Sequence, residues 1–156
     1  MELALRRKWT LKAHGRQQVF LKRARESTEH VLMKAGLWAL HVVEYPHLQV
    51  EVAIGDRYKP DVVALAADGT PQLWGEAGKV TPAKVASLTR RYPNTTLVLA
   101  KWATRLQPLA SVYRKARDPR HSASLYLLGF PRETATYIGA DGTFALPLEA
   151  VERMVL

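Results

Sequence analysis

Between residues 72 and 130 the sequence alternates strand-like with helix-like segments, and this alternation limits the fold more than any other feature. Three apolar segments read as strands, and two amphipathic segments between them read as helices. Such a succession is typical of a sheet covered by helices, so we predict a mixed α/β sheet. In chain order, the predicted segments are strand 72–78, helix 82–92, strand 95–102, helix 104–117 and strand 124–130.

The rest of the chain supplies further strands and one long helix. A chain of 156 residues is too short for two ordinary domains, so we expect a single domain. We divide this domain into three parts. An N-terminal β-hairpin occupies 1–25, the core occupies 26–117, and a C-terminal extension with a second hairpin at Asp141-Gly142 occupies 118–156. The remaining predicted segments are strands 3–13 and 17–24 around His14-Gly15, a helix from the Ser27 cap to about Glu44, strands 47–54 and 60–66, and a helical end from Leu148.

Charge is distributed unevenly along the chain. The formal net charge is +9, which favours an anionic partner. Residues 1–25 hold eight bases against one acid and residues 84–132 ten against one, whereas residues 26–76 hold eight acids against three bases. An acidic centre between basic flanks suits metal-assisted chemistry on a phosphate polymer. The alternative is that the charges only keep a basic protein soluble.

Several classes of function are excluded or disfavoured. The chain has no cysteine, which excludes disulfides, thiol catalysis and cysteine-ligated metal sites. No apolar run reaches the roughly 20 residues of a membrane helix, and no apolar signal core follows the basic start, so we expect a soluble cytoplasmic protein. Neither a Gly-rich phosphate loop nor a Gly-x-Ser-x-Gly motif is present, which disfavours nucleotide hydrolysis and acyl transfer.

Two carboxylates should face each other near the centre of the sheet. If Asp68-Gly69 is a two-residue hairpin loop, Leu65 lies opposite Gln72, Val63 opposite Trp74, and Asp61 opposite Glu76. Opposed like charges are destabilising, and a hard cation such as Mg²⁺ compensates them naturally. The alternative is a solvated hairpin end at which Lys59 or Lys79 neutralises each acid.

Three segments in this order resemble a known family. They are Glu26-Ser27-Thr28-Glu29-His30, Lys59-Pro60-Asp61-Val62-Val63 and Leu73-Trp74-Gly75-Glu76-Ala77-Gly78. Their order and spacing resemble the PD-(D/E)XK nuclease superfamily and, more narrowly, its YaeQ-like family, over residues 1 to about 110. The resemblance implies a restriction-endonuclease-like α/β core of a helix, three strands, a helix and a strand.

The resemblance also implies roles for particular residues. Asp61 and Glu76, with the Ala77 carbonyl, would hold Mg²⁺ or Mn²⁺, and a lysine two positions after the glutamate would orient or activate water. Gly78 stands there instead. Lys79 is one residue further on, and Lys84 substitutes better, because the third residue of the predicted helix can reach over the strand ends.

Glu26 and Glu29 match acidic positions of the YaeQ-like pattern and are secondary candidates for metal contact. The alternative is that they only stabilise the helix start, where acids are favourable. The five histidines show no metal-ligand spacing, and we interpret them as structural or surface residues. They are His14, His30, His41, His47 and His121.

Basic residues gather at the ends of the second and third predicted helices, among Tyr92, Trp102 and Tyr113. Cations are favoured at helix ends in any case, but bases interleaved with aromatic residues also suit nucleic-acid binding. The candidate phosphate contacts are Arg90, Arg91, Lys101, Arg114, Lys115 and Arg117.

Three functions remain open from the sequence. The first is a Mg²⁺-dependent phosphodiesterase that uses Asp61, Glu76 and either Lys84 or Lys79. The second is a nucleic-acid-binding protein on the same fold without cleavage, which the glycine at position 78 suggests. The third is a regulatory role in which the basic surface meets an acidic protein.

Overall fold

The computed structural model describes residues 3–156, so Met1 and Glu2 of the predicted N-terminal part lie outside the described residues. Three α-helices and eight strands occur in the described chain. The strands are β1 (Lys8–Ala13), β2 (Arg16–Leu21), β3 (Gln49–Val50), β4 (Val62–Leu65), β5 (Pro71–Ala77), β6 (Thr96–Trp102), β7 (Leu125–Phe130) and β8 (Glu152–Val155). The helices are α1 (Thr28–His41), α2 (Pro82–Arg91) and α3 (Gln107–Ala116).

A six-stranded sheet of order β3-β4-β5-β6-β7-β8 forms the centre, which confirms the predicted mixed α/β fold. Strands β5, β6 and β7 are parallel, and the other pairs are antiparallel. One face packs against α1 and the β1–β2 hairpin, and the other packs against α2 and α3. Alternate residues of each strand therefore enter two different cores, as Val98 and Leu99 of β6 do.

The register between β4 and β5 is the predicted one over most of its length. Val63 lies opposite Trp74, as expected. A bulge between Ala64 and Leu65 then places Leu65 opposite Pro71, so the expected pairing with Gln72 is wrong. The bulge lies toward the turn, and the regular pairing toward the site ends at Val62 and Gly75. Asp61 lies just before β4, so its predicted pairing with Glu76 is not part of the ladder.

The helix starts follow from local chemistry. The Ser27 hydroxyl accepts from the His30 N–H at 3.1 Å, and the Thr81 hydroxyl accepts from the Lys84 N–H at 3.2 Å, with Pro82 opening α2. Both caps confirm the predictions. Helix α3 begins at Gln107 rather than Thr104, and Leu106 before it offers no capping side chain.

The N-terminal hairpin is confirmed, with shorter strands than predicted. His14 and Gly15 have φ values of 54° and 73°, as a two-residue hairpin turn requires. A 3₁₀ turn at Leu3–Leu5 delays β1 until Lys8. The predicted strand 47–54 is reduced to β3, because Glu51 adopts a positive φ of 54° and leaves the strand.

Residues 118–156 are part of the central sheet, because they contribute β7 and β8. The second turn at Asp141-Gly142 is closed by a single bridge between Ile138 and Phe144. The predicted helical end is wrong: a 3₁₀ turn at Leu148–Ala150 leads into the edge strand β8. Within residues 3–156, none of the helices has the length and apolar character that crossing a membrane requires.

Candidate functional site

Asp61 and Glu76 lie at the same edge of the central sheet. Val62 pairs with Gly75, and the Asp61 N–H donates to the Gly75 carbonyl at 3.1 Å. Oδ2 of Asp61 accepts from the Ala77 N–H at 2.8 Å. The carboxylate of Asp61 is therefore held against the residue that follows Glu76.

Glu76 is buried beside a tryptophan and a lysine. Its Oε1 accepts from Trp74 Nε1 at 2.8 Å and lies 2.9 Å from Lys84 Nζ. Burial and the negative charge of Asp61 raise the pKa of Glu76, while Trp74 and Lys84 lower it. Lys84 comes from the first turn of α2, so its side chain reaches over the strand end as its helix position predicts.

Gly78, the residue after β5, has a backbone conformation that lysine rarely adopts. Its φ is 85°, in the region that favours glycine, and a Cβ there would lie 3.4 Å from Cδ2 of His30. A lysine at position 78, as the resemblance to the PD-(D/E)XK pattern would imply, would therefore be strained. Lys79 follows as an exposed residue beside a groove, whereas Lys84 contacts Glu76 directly.

A buried ionic chain from α1 adjoins the two carboxylates. His30 Nδ1 lies 2.6 Å from Oε2 of Glu26, and His30 Nε2 lies 3.2 Å from the Ala77 carbonyl and 3.8 Å from Oδ2 of Asp61. Both ring nitrogens thus face acceptors. The contact with Asp61 raises the pKa of His30, burial opposes the rise, and Glu26 adds to it.

Lys34 completes this chain as a fully buried cation. Its Nζ lies 2.5 Å from Oε2 of Glu26 and 2.5 Å from Oε1 of Glu51. Burial alone would raise the pKa of Glu26, but contacts with Lys34, the Arg23 N–H and His30 lower it. His30 and Lys34 lie four residues apart on one side of α1, and Glu26 lies four residues before His30, just ahead of the Ser27 cap; this spacing is the sequence signal that was missed.

Glu29, the other acidic candidate near the start of α1, is exposed in the first helical turn, as a helix-stabilising acid would be.

His30 lies beside the candidate site, because it contacts the Ala77 carbonyl and Asp61, and the sequence interpretation missed it. Three other histidines are structural, as expected, since each contacts a backbone carbonyl: His14 that of Ala39, His41 that of Leu37 and His121 that of Thr95.

The donor set at this edge suits a hard cation. In residues 3–156, hydrogen bonds to the carboxylates use Oδ2 of Asp61 and Oε1 of Glu76, which leaves Oδ1 and Oε2 for a cation. No cluster of three or more His, Cys, Asp or Glu side chains arranged for a metal occurs in that range. Asp61 and Glu76 are the residues that could hold Mg²⁺, which commonly binds one or two carboxylates and keeps several waters, whereas the Ala77 carbonyl already lies 3.2 Å from His30 Nε2.

The predicted phosphate contacts lie mostly elsewhere. Arg117, at the end of α3, donates to the carbonyls of Ala123 and Leu156, which flank β7 at its amino end. Because α2 and α3 run back from the carboxyl ends of β5 and β6, their last residues lie at the opposite edge from Glu76. The bases at these two helix ends are Arg90, Arg91, Arg114, Lys115 and Arg117.

Three of the predicted contacts are already engaged within the chain. Arg91 pairs with Asp56, and Arg117 holds the two carbonyls described above. Lys101 is 6% exposed, and its Nζ donates to the Gly78 carbonyl at 2.6 Å and to the Tyr113 hydroxyl at 2.8 Å. Burial lowers the pKa of Lys101 to about 8, while Glu76 opposes this. We therefore assign Lys101 to the interior beside the site.

A different set of exposed bases surrounds the carboxyl edge. Each lies within a few residues of a strand end or helix start at that edge, so the topology brings them around the carboxylates. They are Arg23, Arg25, Lys59, Lys79, Arg105 and Arg132.

Comparison with known proteins reveals a shared fold. No family model and no curated protein matches the sequence. The chain is similar to the crystal structure of the YaeQ protein from Pseudomonas syringae, with a TM-score of 0.59 and 16% identity over 90% of this chain and 76% of that one. It is also similar to the YaeQ protein from Xanthomonas axonopodis pv. citri, with a TM-score of 0.57 and 15% identity over 83% and 75%.

Proposed function

We propose that this chain, which has the fold of YaeQ proteins, is a divalent-metal-dependent phosphodiesterase that acts on nucleic acid. The observation that carries the proposal is the contact between Lys84 and Glu76, next to Asp61, at the carboxyl edge of a central strand. Two acids and a lysine so placed resemble the site of PD-(D/E)XK nucleases. The lysine comes from α2 because Gly78 cannot readily supply it.

The residues of the chain have distinct roles in this proposal. Asp61 and Glu76 hold Mg²⁺ or Mn²⁺, which polarises the scissile phosphate and lowers the pKa of a bound water. The Lys84 amine contacts Glu76 and lies 4.8 Å from the centre of the Tyr58 ring, and with three N–H groups it still has a donor for the water or the phosphate. The exposed bases of the carboxyl edge attract and orient the polyanion.

A second candidate is a nucleic-acid-binding protein that does not cleave. It is favoured by the contacts already present at the site, since Lys84 pairs with Glu76 and His30 contacts the Ala77 carbonyl. In this second candidate, Lys84 and His30 occupy the positions at which the phosphodiesterase would bind a metal.

A cleavage assay separates the two. End-labelled single-stranded DNA, duplex DNA and RNA are incubated with the protein in Mg²⁺, Mn²⁺ or EDTA. The proposal predicts cleavage with metal alone, its loss in Glu76→Gln, and no change in Glu44→Gln, an exposed acid beyond α1. Salt-dependent binding with no cleavage in any metal would favour the second candidate.

A further inference from the structure

A groove of about 430 Å³ lies directly beside the candidate site. Gly78 and Lys79, which follow the site residue Ala77, line one part of it, and Trp102 at the end of β6 lines another. Met33 of α1 and Val112 of α3 form apolar walls. The groove therefore opens across the carboxyl ends of β5 and β6, where a strand bound at Asp61 and Glu76 would pass.

The groove combines an apolar lining with positive charge. Lys79 is exposed at its side, and Lys101 is buried within it. In residues 3–156 the Lys101 amine makes two hydrogen bonds, to Gly78 and Tyr113, which hold its positive charge in the wall of the groove, whereas the Lys79 amine is exposed to a ligand. Trp102 is half-buried: part of its side chain packs against the core beneath α1, and the residue also lines the groove. The groove thus offers an aromatic surface, a hydrogen-bond donor and positive charge. These features suit a ligand in which a flat ring with carbonyl acceptors is attached to an anionic group.

We infer that this groove binds an unpaired nucleobase, so that the substrate class is single-stranded nucleic acid or a strand with an extruded base. The inference rests on the proposed function, because it takes the neighbouring phosphate to lie at Asp61 and Glu76. A base within a duplex is stacked and paired and does not reach such a groove. Base–aromatic stacking on Trp102 binds the free base, and the charges of Lys79 and Lys101 attract the anion attached to it.

Trp102 provides a direct readout of binding. The other three tryptophans are buried, with exposures of 1% for Trp9, 2% for Trp38 and 0% for Trp74. Tryptophan fluorescence is titrated with a ten-residue oligothymidylate in EDTA, so that neither metal binding nor cleavage contributes. We expect quenching by the oligonucleotide, little quenching by a duplex of equal charge, and loss of the quenching in Trp102→Phe.

Affinity measurements on variants give the second arm. Trp102→Leu should weaken oligonucleotide binding by about 5- to 150-fold, the range for losing one stacked base. Trp102→Phe keeps an aromatic face and should stay within about threefold of the wild type. Equal losses for single strand and duplex, or no loss in Trp102→Leu, would overturn the inference.

The two proposals can fail separately. Metal-dependent cleavage with unchanged affinity in Trp102→Leu rejects the base groove and keeps the phosphodiesterase. Quenching and a Trp102-dependent affinity without cleavage in any metal support the base groove on a binding protein.

Discussion

Lys84 Nζ lies 2.9 Å from Oε1 of Glu76, although the two residues come from different secondary structure elements. Trp74 Nε1 donates to the same oxygen at 2.8 Å. One oxygen of Glu76 is thus fixed by two donors, and the orientation of the carboxylate at the sheet edge depends on both.

Removing the charge of Lys84 should reduce the cleavage rate more than the stability of the fold. In Lys84→Met the stem of the side chain is kept and the charge is lost, so we expect cleavage to fall at least 100-fold, in the range of general acid–base or electrostatic groups. Cleavage rates at saturating Mg²⁺ check this, with Lys115→Met at the far edge as control. Equal cleavage rates in Lys84→Met and Lys115→Met would show that Lys84 has no role in cleavage.

Introducing a lysine at position 78, where the PD-(D/E)XK pattern has one, should not improve stability or cleavage. Gly78→Lys places a side chain at a φ of 85°, so we expect a loss of about 1–2 kcal/mol in the free energy of unfolding. Urea denaturation measures the loss, and Gly69→Lys, in an open turn with a φ of 87°, is the control for backbone strain alone. A gain in both stability and cleavage would contradict our explanation of the glycine.

The buried ionic chain should be sensitive to loss of its cation. Lys34→Met leaves Glu26 and Glu51 without the charge between them, and breaking a buried pair typically costs about 3–5 kcal/mol. Urea denaturation checks this. Combining Lys34→Met with Glu26→Gln and Glu51→Gln should recover part of the stability, whereas a loss below about 1 kcal/mol in the single variant would contradict the buried network.

Asp56 should make stability depend on pH in acid. Burial alone would raise its pKa, but contacts with Arg91 and Tyr92 lower the pKa to about 2. A lowered carboxyl pKa contributes stability that is complete above about pH 4 and is lost as the pH falls toward 2, by roughly 2 kcal/mol.

Unfolding free energies between pH 7 and pH 2 test this contribution. Asp56→Asn should be less stable than the wild type at pH 7 and should lose less stability on acidification. The exposed Glu149→Gln serves as control. Parallel pH profiles for the wild type and Asp56→Asn would show that the pair with Arg91 contributes nothing.

The positions of several site residues could be predicted from short-range sequence signals. The turn at Asp68-Gly69 was predicted, but the Ala66 N–H donates to the Thr70 carbonyl, and the bulge at Leu65 restores the predicted β4–β5 register toward the site. Thr81 with Pro82 sets the start of α2, which places Lys84 near Glu76. The bulge at Leu65 was not predictable, because packing rather than turn chemistry decides it.

Long-range partners account for what the sequence did not reveal. Lys34 meets Glu51 across 17 residues, and Arg117 meets the Leu156 carbonyl across 39. The sequence of a basic helix end does not show whether its side chains are solvated or bonded to other parts of the chain. Strand β8 was missed because four residues at a sheet edge, with two charged side chains, carry little alternating apolar signal.

Binding of Mn²⁺, titrated calorimetrically into the wild type, Asp61→Asn and Glu44→Gln, tests the metal site most directly. The Asn side chain can still accept from the Ala77 N–H and relieves repulsion with Glu76, so this variant should keep the thermal stability of the wild type. We predict one saturable site in the wild type and in Glu44→Gln, and its loss in folded Asp61→Asn. Equal Mn²⁺ binding by all three proteins, or none by the wild type, would contradict a metal site at Asp61 and Glu76.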